Sequence, residues 1–306
     1  MISNLDPSSQ LFLSNLNQVE QRLSQANQQL SSGKKLNVAS DAPGDVTSLL
    51  QLRTDEQRNT QIESNLTLAK TDATSADSAL AGAASLMDTA VQLATQGANS
   101  TQTADTRASL AQQVQSILEE MVSYSQTQVQ GSYIFSGDQS QSPTYQVDLT
   151  ATNGVDQLSD AAATQQIEDP AGGTFAASET AQQIFDDTNS DGTPAGDNVF
   201  AALSNLRTAL LNNDQTGISN SIDSLQQAST HLNNADAFYG TVENRIQDAS
   251  TFASNYDTEL QTEISDKQDA DIPTATMEMT QATTQLQAAM EMQGKMPTSS
   301  LFDYLG

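Results

Sequence analysis

Residues 62–94 read IESNLTLAKTDATSADSALAGAASLMDTAVQLA. Within them Ile62, Leu66, Ala69, Ala73, Ala76, Leu80, Ala83, Met87, Ala90 and Ala94 follow one another at alternating steps of four and three. Such steps keep apolar side chains on one stripe of a helix, and a stripe sustained over several heptads predicts coiled-coil packing. At 1.5 Å rise per residue this seam makes a helix of about 50 Å. Most of its positions are Ala, which lets helices approach closely while burying little area at each step.

The same spacing recurs on both sides. Upstream, Phe12, Leu16, Val19, Leu23, Ala26 and Leu30 form a stripe. After the polar turn Asn99-Ser100-Thr101 come Leu110, Val114, Ile117, Met121 and Tyr124. Downstream, Leu232, Ala235, Tyr239, Val242, Ile246, Ala249, Ala253, Tyr256 and Leu260 form another. Beyond Pro273 a last one runs Ala275, Met279, Ala282, Leu286 and Ala289, ahead of the ending Leu301-Phe302-Asp303-Tyr304-Leu305. Long helices need proline-free interiors, and no proline lies between Pro43 and Pro143 or between Pro194 and Pro273. Residues 138–197 differ: they hold Pro143, Pro170 and Pro194 with Gly154, Gly172, Gly173, Gly192 and Gly196. Tyr145 to Thr150 alternates with period two, and Asn153-Gly154 and Pro170-Ala171-Gly172-Gly173 mark turns. The expected fold is mainly α, a long antiparallel coiled-coil rod of N- and C-terminal halves with a small β-rich inserted domain. Its parts are terminal helices at 1–43 and 273–306, an α-helical rod at 44–137 and 198–272, and a solvent-exposed insertion at 138–197.

Composition narrows the function. Among 306 residues, 11 Lys and Arg stand against 38 Asp and Glu, a net charge of −27. Nucleic acids and anionic membranes attract the opposite balance, so neither is an expected partner. Charged residues are only 16%, and 36 Gln supply much of the polar surface. The acidity is uneven: residues 1–70 carry six bases and seven acids, so nearly all the excess lies beyond them. Aromatic residues are 5%, with no Trp, which suits thin helical packing better than one thick core. Absence of Cys excludes disulfides and thiolate metal sites. The start, Met1-Ile2-Ser3-Asn4-Leu5-Asp6-Pro7, lacks the basic and apolar regions of a cleaved signal, and no apolar run reaches membrane-spanning length.

Several blocks resemble the flagellin family of bacterial flagella, and within it the proteins of the hook–filament junction. Leu30-Ser31-Ser32-Gly33-Lys34-Lys35-Leu36-Asn37, followed by Asp41-Ala42-Pro43, is similar to the family's turn after its first helix, with Ala42 in place of a usual second Asp. Ala98-Asn99-Ser100-Thr101 with Arg107 resembles the turn between its N-terminal rod helices. Gly131-Ser132-Tyr133-Ile134-Phe135-Ser136-Gly137 resembles the junction signature where the outer domain begins. Tyr239 to Ile246, containing Asn244 and Arg245, and Asp269-Ala270-Asp271 resemble C-terminal blocks, and Leu301 to Leu305 is similar to the junction ending. The resemblance covers about 1–137 and 198–306. It implies a structural subunit, not an enzyme, that joins hook to filament and polymerises through its terminal helices. Assembly would rest on Phe12, Leu16, Val19, Leu23, Leu30, Met279, Leu286, Leu301, Phe302, Tyr304 and Leu305. Partners implied are copies of itself in a helical ring, a neighbouring hook-associated protein, flagellin and a type III export chaperone. The implied location is extracellular, reached without a cleaved signal peptide. Filament flagellin and a cytoplasmic coiled-coil scaffold are the alternatives.

Four features are weighed beside this reading. Asp187, Asn189, Asp191 and Gly192 fit the opening of a calcium loop, but its twelfth position is Asn198 where a bidentate Glu belongs. No cofactor or metal is therefore expected. The single His231 has no nucleophile at a recognisable spacing. Tyr133 and Phe135 are expected to pack where rod meets insertion, and Asn244 and Arg245 to make polar contacts within the rod.

Overall fold

The computed structural model describes residues 7–38 and 42–295. Each apolar stripe lies on a helix: α1 (Pro7–Ser32), α2 (Pro43–Ala98), α3 (Ala104–Ser125), α6 (Gln215–Gln268) and α7 (Ile272–Lys295). Between α3 and α6 come strands β1 (Gln128–Val129), β2 (Ser132–Tyr133), β3 (Tyr145–Val147), β4 (Val155–Gln157), β5 (Gln166–Glu168) and β6 (Thr174–Ala176), then helices α4 (Ala181–Phe185) and α5 (Val199–Leu211). The chain divides into two units, residues 1–58 with 256–306, and residues 59–255.

In the second unit the seam from Ile62 to Ala94 is buried at all ten positions. Its partner is α6, where Leu232, Ala235, Tyr239, Val242, Ile246, Ala249 and Ala253 are buried in turn. The helices run antiparallel: Asn59 Nδ2 donates to the Ala253 carbonyl (2.8 Å), Lys70 Nζ to Gln247 Oε1 (2.9 Å) and Thr74 Oγ1 to Glu243 Oε1 (2.8 Å). On α3, Leu110, Val114, Ile117 and Met121 are buried together with Ala111, Leu118 and Val122, a wider stripe than a two-helix seam needs. The extra face is covered by α5, which packs along α3 with Phe200, Leu203, Leu206 and Leu210 buried. Close approach explains one glycine: a Cβ on Gly82 would meet the Tyr124 hydroxyl at 2.6 Å.

Helix starts follow ordinary capping chemistry, in which a side-chain oxygen satisfies a first-turn N–H. Thr103 caps α3, Thr180 forms a reciprocal capping box with Gln183 on α4, and Asn198 caps α5. The strands make three two-stranded antiparallel hairpins, β1–β2, β3–β4 and β5–β6. The first lies at 128–133, inside a stretch expected to be wholly helical. Its cause is local: Gln130 (φ 51°) and Gly131 (φ 84°) are both left-handed, as a tight two-residue hairpin requires.

These hairpins have little core of their own and rely on aromatic rings shared with the helices. Tyr145 packs edge-on against Phe200, Phe200 stacks on Phe185, Phe185 meets Phe135 edge-on, and Phe135 meets Tyr239 of α6. Phe238 extends the chain of rings. Six of the 14 Phe and Tyr residues are thus gathered in one contiguous path. Burial, reinforced by the Asp186 charge, pushes the Tyr145 hydroxyl above its ordinary titration range. Tyr239 is raised for the same first reason, and its hydroxyl accepts from the Glu179 amide (3.1 Å).

Candidate assembly site

Gly33, left-handed at φ 69°, ends α1, its amide donating to the Gln29 carbonyl (2.8 Å). The chain then meets the α6–α7 junction. Lys35 N donates to the Gln268 carbonyl (2.7 Å), Ala270 N to the Gly33 carbonyl (2.9 Å), and Lys34 forms an antiparallel bridge with Asp269. Gln268 is buried and its side-chain oxygen accepts from Arg53 (2.8 Å), while Asn37 Nδ2 donates to the Lys34 carbonyl (2.9 Å). Two blocks 232 residues apart at their nearest, the Gly33–Asn37 turn and Asp269-Ala270-Asp271, are therefore stitched together by backbone. Asp271 also caps α7, accepting from Thr274 N and Oγ1, and these bonds hold its carboxyl below its usual range.

From this stitch α1 and α7 pack along each other. Leu23 and Leu286 line one groove and Gln29 and Thr274 another, so the helices are antiparallel. Their seam is left unfinished. Among the described side chains, only Ala26 on α1 and Ala275 and Ala282 on α7 are buried. Phe12, Leu16, Val19, Leu23, Leu30, Met279 and Leu286 are half-buried, and Leu11 (66% exposed), Met277 (61%) and Met292 (63%) project further. An open groove of about 780 Å³ lies beside Leu23 and Leu286. Fully burying one such side chain is worth about 1.5–3 kcal/mol, so much apolar stabilisation is unrealised in one chain. Asp41, Leu301, Phe302, Tyr304 and Leu305 lie outside the described residues. Pro43 opens α2.

Asn99 and Arg107 meet at the other end of α2. Arg107 is buried and donates from Nε to the Gly97 carbonyl (2.8 Å) and from a terminal nitrogen to the Asn99 carbonyl (3.1 Å). Its other terminal nitrogen donates to Asn213 Oδ1. The guanidinium thus answers carbonyls at the C-terminus of α2, where the helix dipole is negative, without a carboxylate. Asn213, left-handed at φ 53° just after α5, ties that turn to the same cation. The Leu211-Asn212-Asn213 step is a readable helix ending, but its pairing with Arg107 had no sequence signal.

In the Gly131–Gly137 block, Gly131 makes the hairpin turn and Tyr133 pairs with Gln128 across it. Phe135 is fully buried in the aromatic path. Gly137, at φ 51°, lies so close to the Ala163 carbonyl that a Cβ would collide with it. Asn244 donates to the Gly240 carbonyl of its own helix (2.9 Å). Arg245 departs from the expected rod contact: its guanidinium lies 4.4 Å above the ring of Phe175, on β6, a cation–π contact that binds insertion to rod.

The calcium-like loop is closed upon itself. Asp191 Oδ1 accepts from Thr193 N (3.0 Å) and Oγ1 (2.6 Å), and Asn189 donates to Thr193 Oγ1 and the Pro194 carbonyl. Asn198, at the twelfth position, accepts from Ala201 N and donates to Asp186 and the Asp187 carbonyl. Among the described residues, no three His, Cys, Asp or Glu side chains are grouped to share an ion. His231 also has a structural place, its Nε2 against the Gln183 carbonyl (2.7 Å) and its Nδ1 3.3 Å from Asp197. No described helix is long and apolar enough to cross a membrane.

Comparison with known proteins points one way. Residues 2–140 match the bacterial flagellin N-terminal helical region and residues 222–305 the C-terminal helical region. No curated protein matches the sequence. Among solved structures, a putative flagellar hook-associated protein from Vibrio parahaemolyticus is similar at TM-score 0.63 and 19% identity, over 75% of this chain and 100% of that one. Flagellar hook-associated protein 3 of Legionella pneumophila is similar at 0.61 and 12%, over 71% and 98%. FlgL of Bacillus cereus is similar at 0.53 and 17%, over 72% and 100%.

Proposed function

This chain belongs to the bacterial flagellin family, and from that premise we propose that it is a structural subunit of the flagellum that joins hook to filament. The observation that carries the reading is the unfinished α1–α7 seam. Among their described side chains, these helices of 26 and 24 residues bury three alanines and leave the larger apolar groups half-exposed. Helices this poorly covered gain stability by packing against further copies. Polymerisation through Phe12, Leu16, Val19, Leu23, Leu30, Met279 and Leu286, with Leu301, Phe302, Tyr304 and Leu305 of the ending, is the assembly proposed.

The division into terminal helices, rod and insertion with the stated boundaries belongs to the same proposal, as do the partners: copies of this chain, a neighbouring hook-associated protein, flagellin and an export chaperone. The hook-associated proteins among the similar structures and the Gly131–Gly137 block support the junction over the filament. The work proposed is mechanical, with no catalysis, and export proceeds without signal cleavage to an extracellular position. Deleting the gene tests it. Hooks without filaments, with flagellin released into the medium, are expected; hooks bearing normal filaments would refute the junction role.

A further inference from the structure

Asn153-Gly154 is the only Asn-Gly pair in the chain. It sits in the turn joining β3 to β4, and the structure holds it from several sides. Asn153 Nδ2 donates to Asp186 Oδ1 (2.9 Å). Asp186 is only 5% exposed, and the same oxygen accepts from Asn198 Nδ2 (2.8 Å). The Gly154 amide donates to the Ala151 carbonyl (3.1 Å). Gly154 is left-handed at φ 79°, and a Cβ there would lie 2.9 Å from Leu118 Cδ2 and 3.2 Å from Ser204 Cβ, so the turn rests directly on α3 and α5.

We propose that Asn153 is a deamidation site which the fold keeps closed and which opens whenever the chain is unfolded. In the reaction the Gly154 nitrogen attacks Asn153 Cγ. A new N–Cγ bond forms, the Cγ–Nδ2 bond breaks, and the side-chain nitrogen leaves as ammonia with the proton from Gly154. Water then opens the cyclic imide at either carbonyl, giving Asp or isoaspartate. In the folded chain the attacking nitrogen is tied to Ala151 and the leaving amide to Asp186, and packing against α3 and α5 denies the turn the movement that ring closure needs. Once unfolded, all of these restraints are gone.

The product does not fit back. Asp at 153 loses the donor that Asp186 accepts and sets a second carboxylate against one that is almost wholly buried, a repulsion strengthened by low local dielectric. Isoaspartate adds a backbone atom two residues from Val147↔Val155, the pair that buries Val155. Conversion at this one residue therefore records time spent unfolded and returns a chain with a loosened insertion.

The test follows residue 153 by peptide mapping and mass spectrometry in the full-length chain, held at pH 8 either in buffer or in urea. Conversion at least about tenfold slower in buffer is expected, the protection conferred by a costly local opening; equal rates would overturn the gating. Hydrogen exchange over 145–157 is then compared among the natural chain, N153D and N153S. Faster exchange in N153D than in N153S is expected, because Ser loses the bond without adding charge. Equal exchange in the two variants would overturn the misfit with Asp186. If N153D does not fold while N153S does, the misfit stands, and the rate comparison on the natural chain still decides the gating.

Discussion

The α2–α6 seam and the α1–α7 seam carry the same four-three spacing, yet one is closed and the other open. From Ile62 to Ala94 every seam position is buried, whereas α1 buries Ala26 and leaves Phe12, Leu16, Val19, Leu23 and Leu30 half-covered. The difference lies in the neighbours. In the second unit α3 and α5 close the remaining faces and the aromatic path seals the insertion onto α6. In the first unit, nothing described covers the outer faces of α1 and α7 beyond their mutual stripe. A heptad pattern therefore specifies a helix and its sticky face, but the number of partners that face requires comes from elsewhere.

The largest effect expected is at the closed end of this contrast. Phe135→Ala should destabilise the second unit by about 3–5 kcal/mol, the usual cost of an emptied aromatic core site, read as a lower urea midpoint. Arg107→Met should cost about 2–3 kcal/mol, since three charge-assisted bonds are lost and the carbonyls they served are left wanting. Hydrogen exchange should rise first around 97–103 and 212–215. Gly82→Ala should cost about 1–3 kcal/mol by forcing Tyr124 from α2, measured by thermal unfolding with Tyr124→Phe as the partner variant. In the open seam, Leu23→Ala should change monomer stability by less than about 1 kcal/mol, because little burial exists to lose. The same variant should abolish sedimenting polymer; a monomer loss as large as that of Phe135→Ala would erase the contrast.

The smallest expected effect is electrostatic. Burial, and then the nearby Asp77 charge, raise the Asp236 carboxyl above its ordinary value, and burial raises Asp72 and Glu179. A folded chain whose carboxyls hold protons more tightly than the unfolded chain is favoured at low pH. This contribution is complete below the unfolded carboxylate range and is lost as pH rises through the raised values. Asp148, Asp191 and Asp271 are lowered, chiefly by Thr hydroxyl and amide bonds, and act in the opposite direction. Asp236→Asn should flatten the loss on the rising side in urea titrations between acid and neutral pH; an unchanged slope would remove Asp236 as its source.

Most of the helical architecture was legible because period and proline are local signals. The ten seam residues of α2 and the seven of α6 from Leu232 to Ala253 are buried as the spacing predicts. The β1–β2 hairpin was missed because its short strands leave no period to detect, although Gln130-Gly131 is a readable turn. The role of α5 was not legible because its apolar stripe, Val199, Leu203, Leu206 and Leu210, spans only 12 residues and names no partner; α3, which it covers, lies about 90 residues earlier. Arg245 differs for another reason: its partner Phe175 lies 70 residues away on a strand that only folding brings beside it, and a cation–π pairing leaves no spacing to read.

What the amino-acid order determined by itself was which segments are helical, which stripe of each is apolar, and where the chain must turn, since these depend on spacings of a few residues and on the backbone limits of Pro and Gly. What only the tertiary structure decided was which of those stripes are satisfied. The closure of α2 and α6, the shared cation at Arg107, the stitch from Gly33 to Ala270 and the clamp of Asn153 on Asp186 all join residues distant in sequence. Such contacts are set by packing and by the satisfaction of buried polar groups across the whole unit, which no local pattern encodes.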